Sequence, residues 1–186
     1  MVKKNACIFI SGKGTNLKSL ILNSISYNFP VKIKLIVSNK KNAPGLIYAK
    51  KWSIPHFIYN EKSYLSEIKL INEIKKQKIN LICLAGYMKI LSKKFLNIFN
   101  DKIINIHPSL LPKFKGLNTF KRVIENKEKK TGCTVHYVNE TLDSGKIILK
   151  KFFFIKKDDN VKTLKIKTQK LEYKAFSEAL IKICKN

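Results

Sequence analysis

Ala6-Cys7-Ile8-Phe9-Ile10-Ser11-Gly12-Lys13-Gly14-Thr15-Asn16-Leu17 is the stretch on which the fold class turns. Residues 6–10 are continuously apolar, as a strand buried on both faces requires. Ser11 and the two glycines then allow a tight turn, and a helical pattern follows over residues 17–26. Strand, glycine loop and helix together open an α/β unit. A helix start presents unpaired N–H groups and a partial positive charge, which suits a phosphate. The Gly-to-Gly-Lys spacing of a Walker A loop is absent, and Leu17 fills the third glycine position of the dinucleotide fingerprint. An ordinary strand-to-helix turn capped by Thr15 or Asn16 fits the same residues, so the loop alone leaves phosphate binding open.

The alternation continues outward from that stretch. Residues 31–37 read as a strand, 46–52 as a helix and 55–59 as a short strand. Tyr64, Leu65, Ile68, Ile71 and Ile74 recur at helical spacing on a segment ending near Lys78. Residues 81–85 and 103–106 repeat the buried-strand pattern on either side of a helix at 91–99. The last third changes: 134–138 and 146–155 read as strands around a turn containing Asp143-Ser144-Gly145, and 161–183 as one amphipathic helix. The expectation is one Rossmann-like α/β domain over residues 1–186. It has a mostly parallel central sheet, helices on both faces and an antiparallel addition near the C-terminal end.

A chain of 186 residues, 45% hydrophobic and 10% aromatic, can bury a core without disulfides or metal. No apolar run reaches the roughly 20 residues of a membrane span. The basic start at Met1 precedes an apolar run too short for a secretory signal, so the expected location is the cytoplasm. Cys7, Cys83, Cys133 and Cys184 have no metal-ligand spacing, and free thiols fit a reducing compartment. The formal charge of +26, from 38 Lys+Arg against 12 Asp+Glu, suggests a polyanion partner at first sight. Arg122 is the only arginine, however, and the lysines are spread along the chain together with many Ile and Asn residues. That is the composition AT-rich codons favour, so drift in composition is the plainer explanation and selected polyanion binding, nucleic acid included, the lesser one; either way the positive potential should help attract an anionic small substrate.

Two further sites carry chemistry. Asn105-Ile106-His107-Pro108-Ser109-Leu110-Leu111-Pro112 follows a buried strand, where open α/β sheets place their ligands. Strand alternation puts Asn105 and His107 on one side, with Ile106 facing away. Asp143 sits in a turn beside Ser144 and Gly145, which is usually plain turn chemistry. It gains a role only if the fold brings it to His107, where a carboxylate favours the imidazolium. His56 and His136 lie in strand-like runs without an identifiable partner and read as structural.

These segments, in this order, resemble glycinamide ribonucleotide formyltransferase, the folate-dependent family of purine synthesis. The likeness runs through residues 10–17, Val37-Ser38-Asn39-Lys40, residues 84–91, residues 104–112, residues 132–138 and Leu142-Asp143-Ser144-Gly145. It implies transfer of a formyl group from 10-formyltetrahydrofolate to the amine of glycinamide ribonucleotide, with no metal. Protonated His107 and the Asn105 amide would stabilise the oxyanion of the tetrahedral intermediate. Asp143 would keep His107 charged and order a proton-relaying water. Gly14, Thr15 and Asn16 match the family's substrate-phosphate loop, and Gln169 and Glu172 its contacts to the glycinamide substrate. The folate slot would be lined by Met88, Lys89, Ile90, Leu91 and Asn105, with Val138, Glu140, Thr141 and Leu142 opposite. The family's Arg near the folate glutamate tail has no clear counterpart, Lys62 being the nearest candidate, and the expected assembly is a monomer or homodimer.

Lys89 stands where the family often has Arg, and Thr15 where it often has Ser. Lys115, Asn118 and Phe120 replace a Pro and two His after the Leu-Leu-Pro block. Methionyl-tRNA formyltransferase shares the His-Pro-Ser-Leu-Leu-Pro block, but adds a C-terminal domain and lacks the Ser-Gly-x-Gly-Thr-Asn loop. Formyltetrahydrofolate deformylase usually adds an N-terminal regulatory domain.

Overall fold

A computed structural model describes residues 3–185; Met1, Val2 and Asn186 lie outside the described residues. The chain forms two compact units, Met1–Ile104 and Asn105–Asn186.

The first unit is built on β1 (Lys4–Ile10), β2 (Val31–Ser38), β3 (His56–Ile58) and β4 (Leu81–Leu84). Four helices follow these strands in turn: α1 (Thr15–Ile25), α2 (Leu46–Lys51), α3 (Tyr64–Lys76) and α4 (Lys93–Ile98). β1 pairs in parallel with β2 and β4, and β2 with β3. Ala6 through Ile10 are all fully buried, which is why this run carries no polar alternation. Phe9 meets Tyr87 edge-on at 5.3 Å between ring centroids and Phe95 at 5.9 Å, fixing the packing where β1 ends. Ser63 caps α3 by accepting from the Ser66 N–H, and Leu70, Ile71 and Ile74 turn inward at helical spacing. Each such side chain contributes about 1.5–3 kcal/mol by leaving water.

The second unit starts within β5 (Ile103–His107) and adds α5 (Thr119–Glu125), β6 (Lys130–Tyr137), β7 (Ile147–Phe154) and α6 (Val161–Lys185). β6 and β7 are antiparallel, with a register shift between Val135 and His136. α6 packs on β6 and β7 through Leu164, Thr168, Ala175, Phe176, Ala179 and Leu180. Its start is held by Asn160 Oδ1, which accepts from the Lys162 and Thr163 N–H groups, and by Thr163 Oγ1, which accepts from Asn160 N.

The strand order is β3-β2-β1-β4-β5-β6-β7, so the expected mostly parallel sheet with an antiparallel addition is found. Three local readings are corrected. α4 starts at Lys93 and not at Leu91, because Ser92 accepts from the Phe95 N–H and sets the cap. β6 begins four residues before the expected start at Thr134. Gly132 hid that extension: a Cβ there would collide with the Lys151 carbonyl of β7, so the pairing demands a residue with no strand signature. α5 was not anticipated, since no side chain caps it; Asn118 enters it at φ 56°.

Candidate active site

In the first unit, the loop after β1 is shaped by close backbone approach. Gly14 precedes α1 at φ 66° and ψ 33°, and no side chain caps the helix. A Cβ on Gly14 would stand 2.9 Å from the Gly45 Cα, and one on Gly45 would meet Gly12, Gly14 and Ile10. Gly45 N–H donates to the Gly12 carbonyl at 2.9 Å, and Lys18 N–H to the Gly14 carbonyl at 2.9 Å. Ser11 ties the loop to its neighbours: its Oγ donates to Asn39 Oδ1 at 2.6 Å and accepts from the Met88 N–H at 2.9 Å. Glycine is therefore required at residue 14 by both torsion and space. The loop leaves the positive end of an 11-residue helix without a side-chain cap, an arrangement suited to an anion.

In the second unit, β5 delivers Asn105 and His107, and the turn after β6 delivers Asp143. The two segments meet. His107 Nδ1 lies 3.2 Å from Asp143 Oδ2, with both side chains buried. Asp143 Oδ2 also accepts the Gly116 N–H at 2.8 Å. Asp143 holds this position at φ 48°, a backbone conformation that short polar residues tolerate best. His107 Nε2 donates to the Phe114 carbonyl at 2.9 Å, so both ring nitrogens face oxygen acceptors. Lys115 Nζ bonds Ser144 Oγ, and Arg122 Nη1 donates to the Lys115 carbonyl at 2.6 Å, tying this segment to the Asp143 turn.

His136, read from the sequence as structural and partnerless, belongs to the same cluster. Its Nε2 lies 3.3 Å from Asn105 Nδ2 and 3.7 Å from Asp143 Oδ1. Its Nδ1 lies 2.7 Å from the Tyr137 carbonyl, so Nδ1 carries the proton and Nε2 is left to accept from Asn105. Burial holds His136 below the ordinary imidazole range, against the opposing pull of the Tyr137 carbonyl and Asp143. The register shift at Val135/His136 lies within β6, and no sequence pattern signals it.

Gln169 and Glu172 sit one turn apart on α6, half-buried. Burial, and then the Glu172 charge, push the Cys133 thiol on β6 up to about 12. In the first unit Met88 and Ile90 are exposed and Leu91 is buried. Lys89 pairs with Glu61 at 2.8 Å and holds its carboxyl below the usual range. Lys62 is exposed in the loop before α3, its N–H donating to Asn60 Oδ1. Val138 is half-buried, whereas Glu140, Thr141 and Leu142 are exposed beside Asp143. Among the described residues no group of three or more His, Cys, Asp or Glu is arranged to hold a metal.

A strand-end His paired with a turn Asp, and an Asn two residues before that His bonded to a second His, on an α/β sheet that begins with a glycine loop, define a class. The sequence profile described as Formyl transferase matches residues 4–180, and the chain belongs to that family. It is 41% identical over 177 residues to the Phosphoribosylglycinamide formyltransferase of Haemophilus influenzae, covering 93% of this chain and 84% of that protein. It is 39% identical to the Trifunctional purine biosynthetic protein adenosine-3 of Homo sapiens, spanning 96% of this chain but 18% of that protein. The solved phosphoribosylglycinamide formyltransferase of Brucella melitensis superposes with a TM-score of 0.93 at 34% identity, over 99% of this chain and 97% of that one.

Proposed function

We propose that this chain moves the formyl group of 10-formyltetrahydrofolate to the amine of glycinamide ribonucleotide, in the de novo route to IMP. Residues 1–186 act as one formyltransferase domain in the cytoplasm, as a monomer or homodimer. The observation that carries the reading is the meeting of His107, Asp143, Asn105 and His136 in one buried cluster.

The chemistry follows from what each group can donate. Attack of an amine on a formyl carbon puts negative charge on the formyl oxygen and positive charge on the nitrogen. His107, paired with Asp143, supplies an N–H for the oxygen through Nε2 once the Phe114 carbonyl yields that hydrogen bond. Asn105 gives one amide N–H to His136 and retains a second for the same oxygen. Asp143 is the carboxylate that can order a water and pass on the amine's proton. The Gly14, Thr15 and Asn16 loop fits the ribonucleotide phosphate because it offers backbone N–H groups at a helix start. Glu172 and Gln169 suit the ammonium and amide of the glycinamide portion. Met88, Lys89, Ile90 and Leu91, and Val138 with Glu140, Thr141 and Leu142, offer apolar surface and polar edges for a pterin. Lys62 offers a cation to the glutamate tail.

Purified protein with 10-formyltetrahydrofolate, with and without glycinamide ribonucleotide, tests this spectrophotometrically. Deformylation that requires the ribonucleotide and yields its formylated form is expected. Cofactor loss without the acceptor would make the chain a deformylase and sink the proposal.

A further inference from the structure

Adjoining the His107 cluster at Phe114, the second unit holds a cleft of about 350 Å³. One wall is the segment Leu110–Phe114, seated on β6 by Thr134: its Oγ1 donates to the Ser109 carbonyl at 2.7 Å and accepts the Leu111 N–H at 3.1 Å. The opposite wall is β7, which presents Lys150 and Phe152 on one face. Phe152 is 53% exposed although it sits beside an apolar wall of Leu110, Leu111 and Pro112. Three ammonium groups ring the space. Lys113 is matched by Glu128 at 2.8 Å, whereas Lys130 and Lys150 have no carboxylate partner among the described residues. Lys130 Nζ lies 5.2 Å from the Phe152 ring centroid, so an anion at Lys130 would bring an attached flat ring to Phe152.

A half-exposed aromatic ring, with Phe154 edge-on at 5.8 Å and Lys130 over it, an apolar wall and two cations without a carboxylate partner describe a ligand with a planar ring and a doubly charged anionic group. We infer that this cleft is a binding site for a nucleoside monophosphate, its base on Phe152 and its phosphate between Lys130 and Lys150. None of the side chains assigned to formyl transfer lines it; Phe114, whose carbonyl accepts from His107 Nε2, is the residue where the cleft adjoins that cluster. Stacking on an aromatic ring accepts any base, because every base has a π-face, and phosphate attraction adds to it.

AMP is the probe, titrated calorimetrically into the full chain at moderate salt, with adenosine and inorganic phosphate as fragments. One-to-one AMP binding is expected, with each fragment at least tenfold weaker. Phe152→Ala removes no charge and so separates stacking from general attraction by a basic protein; it should weaken AMP tenfold or more. Lys130→Ala combined with Lys150→Ala should do the same, while Lys162→Ala on α6 should not. Amide NMR shifts then locate the ligand, and are expected at residues 110–114 and 150–152. Shifts confined to residues 11–16 would assign AMP to the glycine loop and overturn the inference. Equal affinity of Phe152→Ala, or no AMP binding by a chain that still transfers formyl groups, would overturn it too. Circular dichroism of the exposed-site variants checks that they fold.

Discussion

His136 Nε2 lies 3.3 Å from the amide nitrogen of Asn105, while its Nδ1 is held by the Tyr137 carbonyl at 2.7 Å. The backbone carbonyl fixes the tautomer, the tautomer leaves Nε2 as an acceptor, and the acceptor fixes which way the Asn105 amide points. A buried imidazole thus orients a side chain on the neighbouring strand.

Replacing His136 should therefore damage turnover more than binding. For His136→Ala we expect kcat of formyl transfer to fall about 10- to 100-fold with KM changed much less, as loss of one oxyanion donor would give. Steady-state kinetics of the variant checks this. Equal kcat in the variant and the parent would remove the orienting role.

The same residue links folding to pH. Because burial keeps folded His136 below its unfolded value of about 6.5, the unfolded chain binds the extra proton. Its stabilising contribution is present above that value and is lost as pH falls towards the folded value. Urea unfolding at a series of pH values should show stability dropping below about pH 6.5, with a smaller slope in His136→Gln.

Asp143 is a sharper test of the cluster. Asp143→Asn keeps the shape and can still accept from Gly116, but removes the negative charge 3.2 Å from His107 Nδ1. We expect kcat to fall by about two orders of magnitude or more while thermal unfolding changes by a few degrees only. Full activity in Asp143→Asn would contradict the proposed roles of both residues.

Gly14→Ala tests the glycine loop. Alanine at φ 66° is strained, and its Cβ would press against Gly45, so about 1–3 kcal/mol of stability should be lost. The KM for the phosphorylated substrate should rise more than kcat falls. Chemical denaturation and kinetics on the same preparation separate the two effects.

At the start of α6, Asp159 accepts from Lys167 at 2.6 and 2.7 Å, from Thr163 Oγ1 at 2.8 Å and from the Lys156 N–H at 2.9 Å. The Lys167 bonds are the main cause of its drop to about 2. A lowered carboxyl stabilises the fold above its unfolded value, near 3.9, and that stability disappears as pH falls towards 2. Asp159→Asn should flatten the acid limb between those values in a pH series of melting temperatures.

The residues of the chain determined a good deal unaided. Periodicity located most elements, because burial on both faces leaves an unbroken apolar run at residues 6–10 and 81–84 that can be read locally. The spacing of Asn105 and His107 put both on one side of a strand, since the pleat has a period of two. What the sequence could not express was anything carried by pairing between distant segments. Gly132 lies within β6 because the β7 backbone comes too close for a side chain, and a lone glycine gives no strand signal. His136 joins the cluster through contacts to Asn105, 31 residues away, and to Asp143 across a turn. Local propensity records how a residue treats its neighbours along the chain, whereas a shared hydrogen bond between two strands exists only once both are in place. The residue types of the candidate site were thus written in the sequence, and their orientation was decided by the tertiary structure.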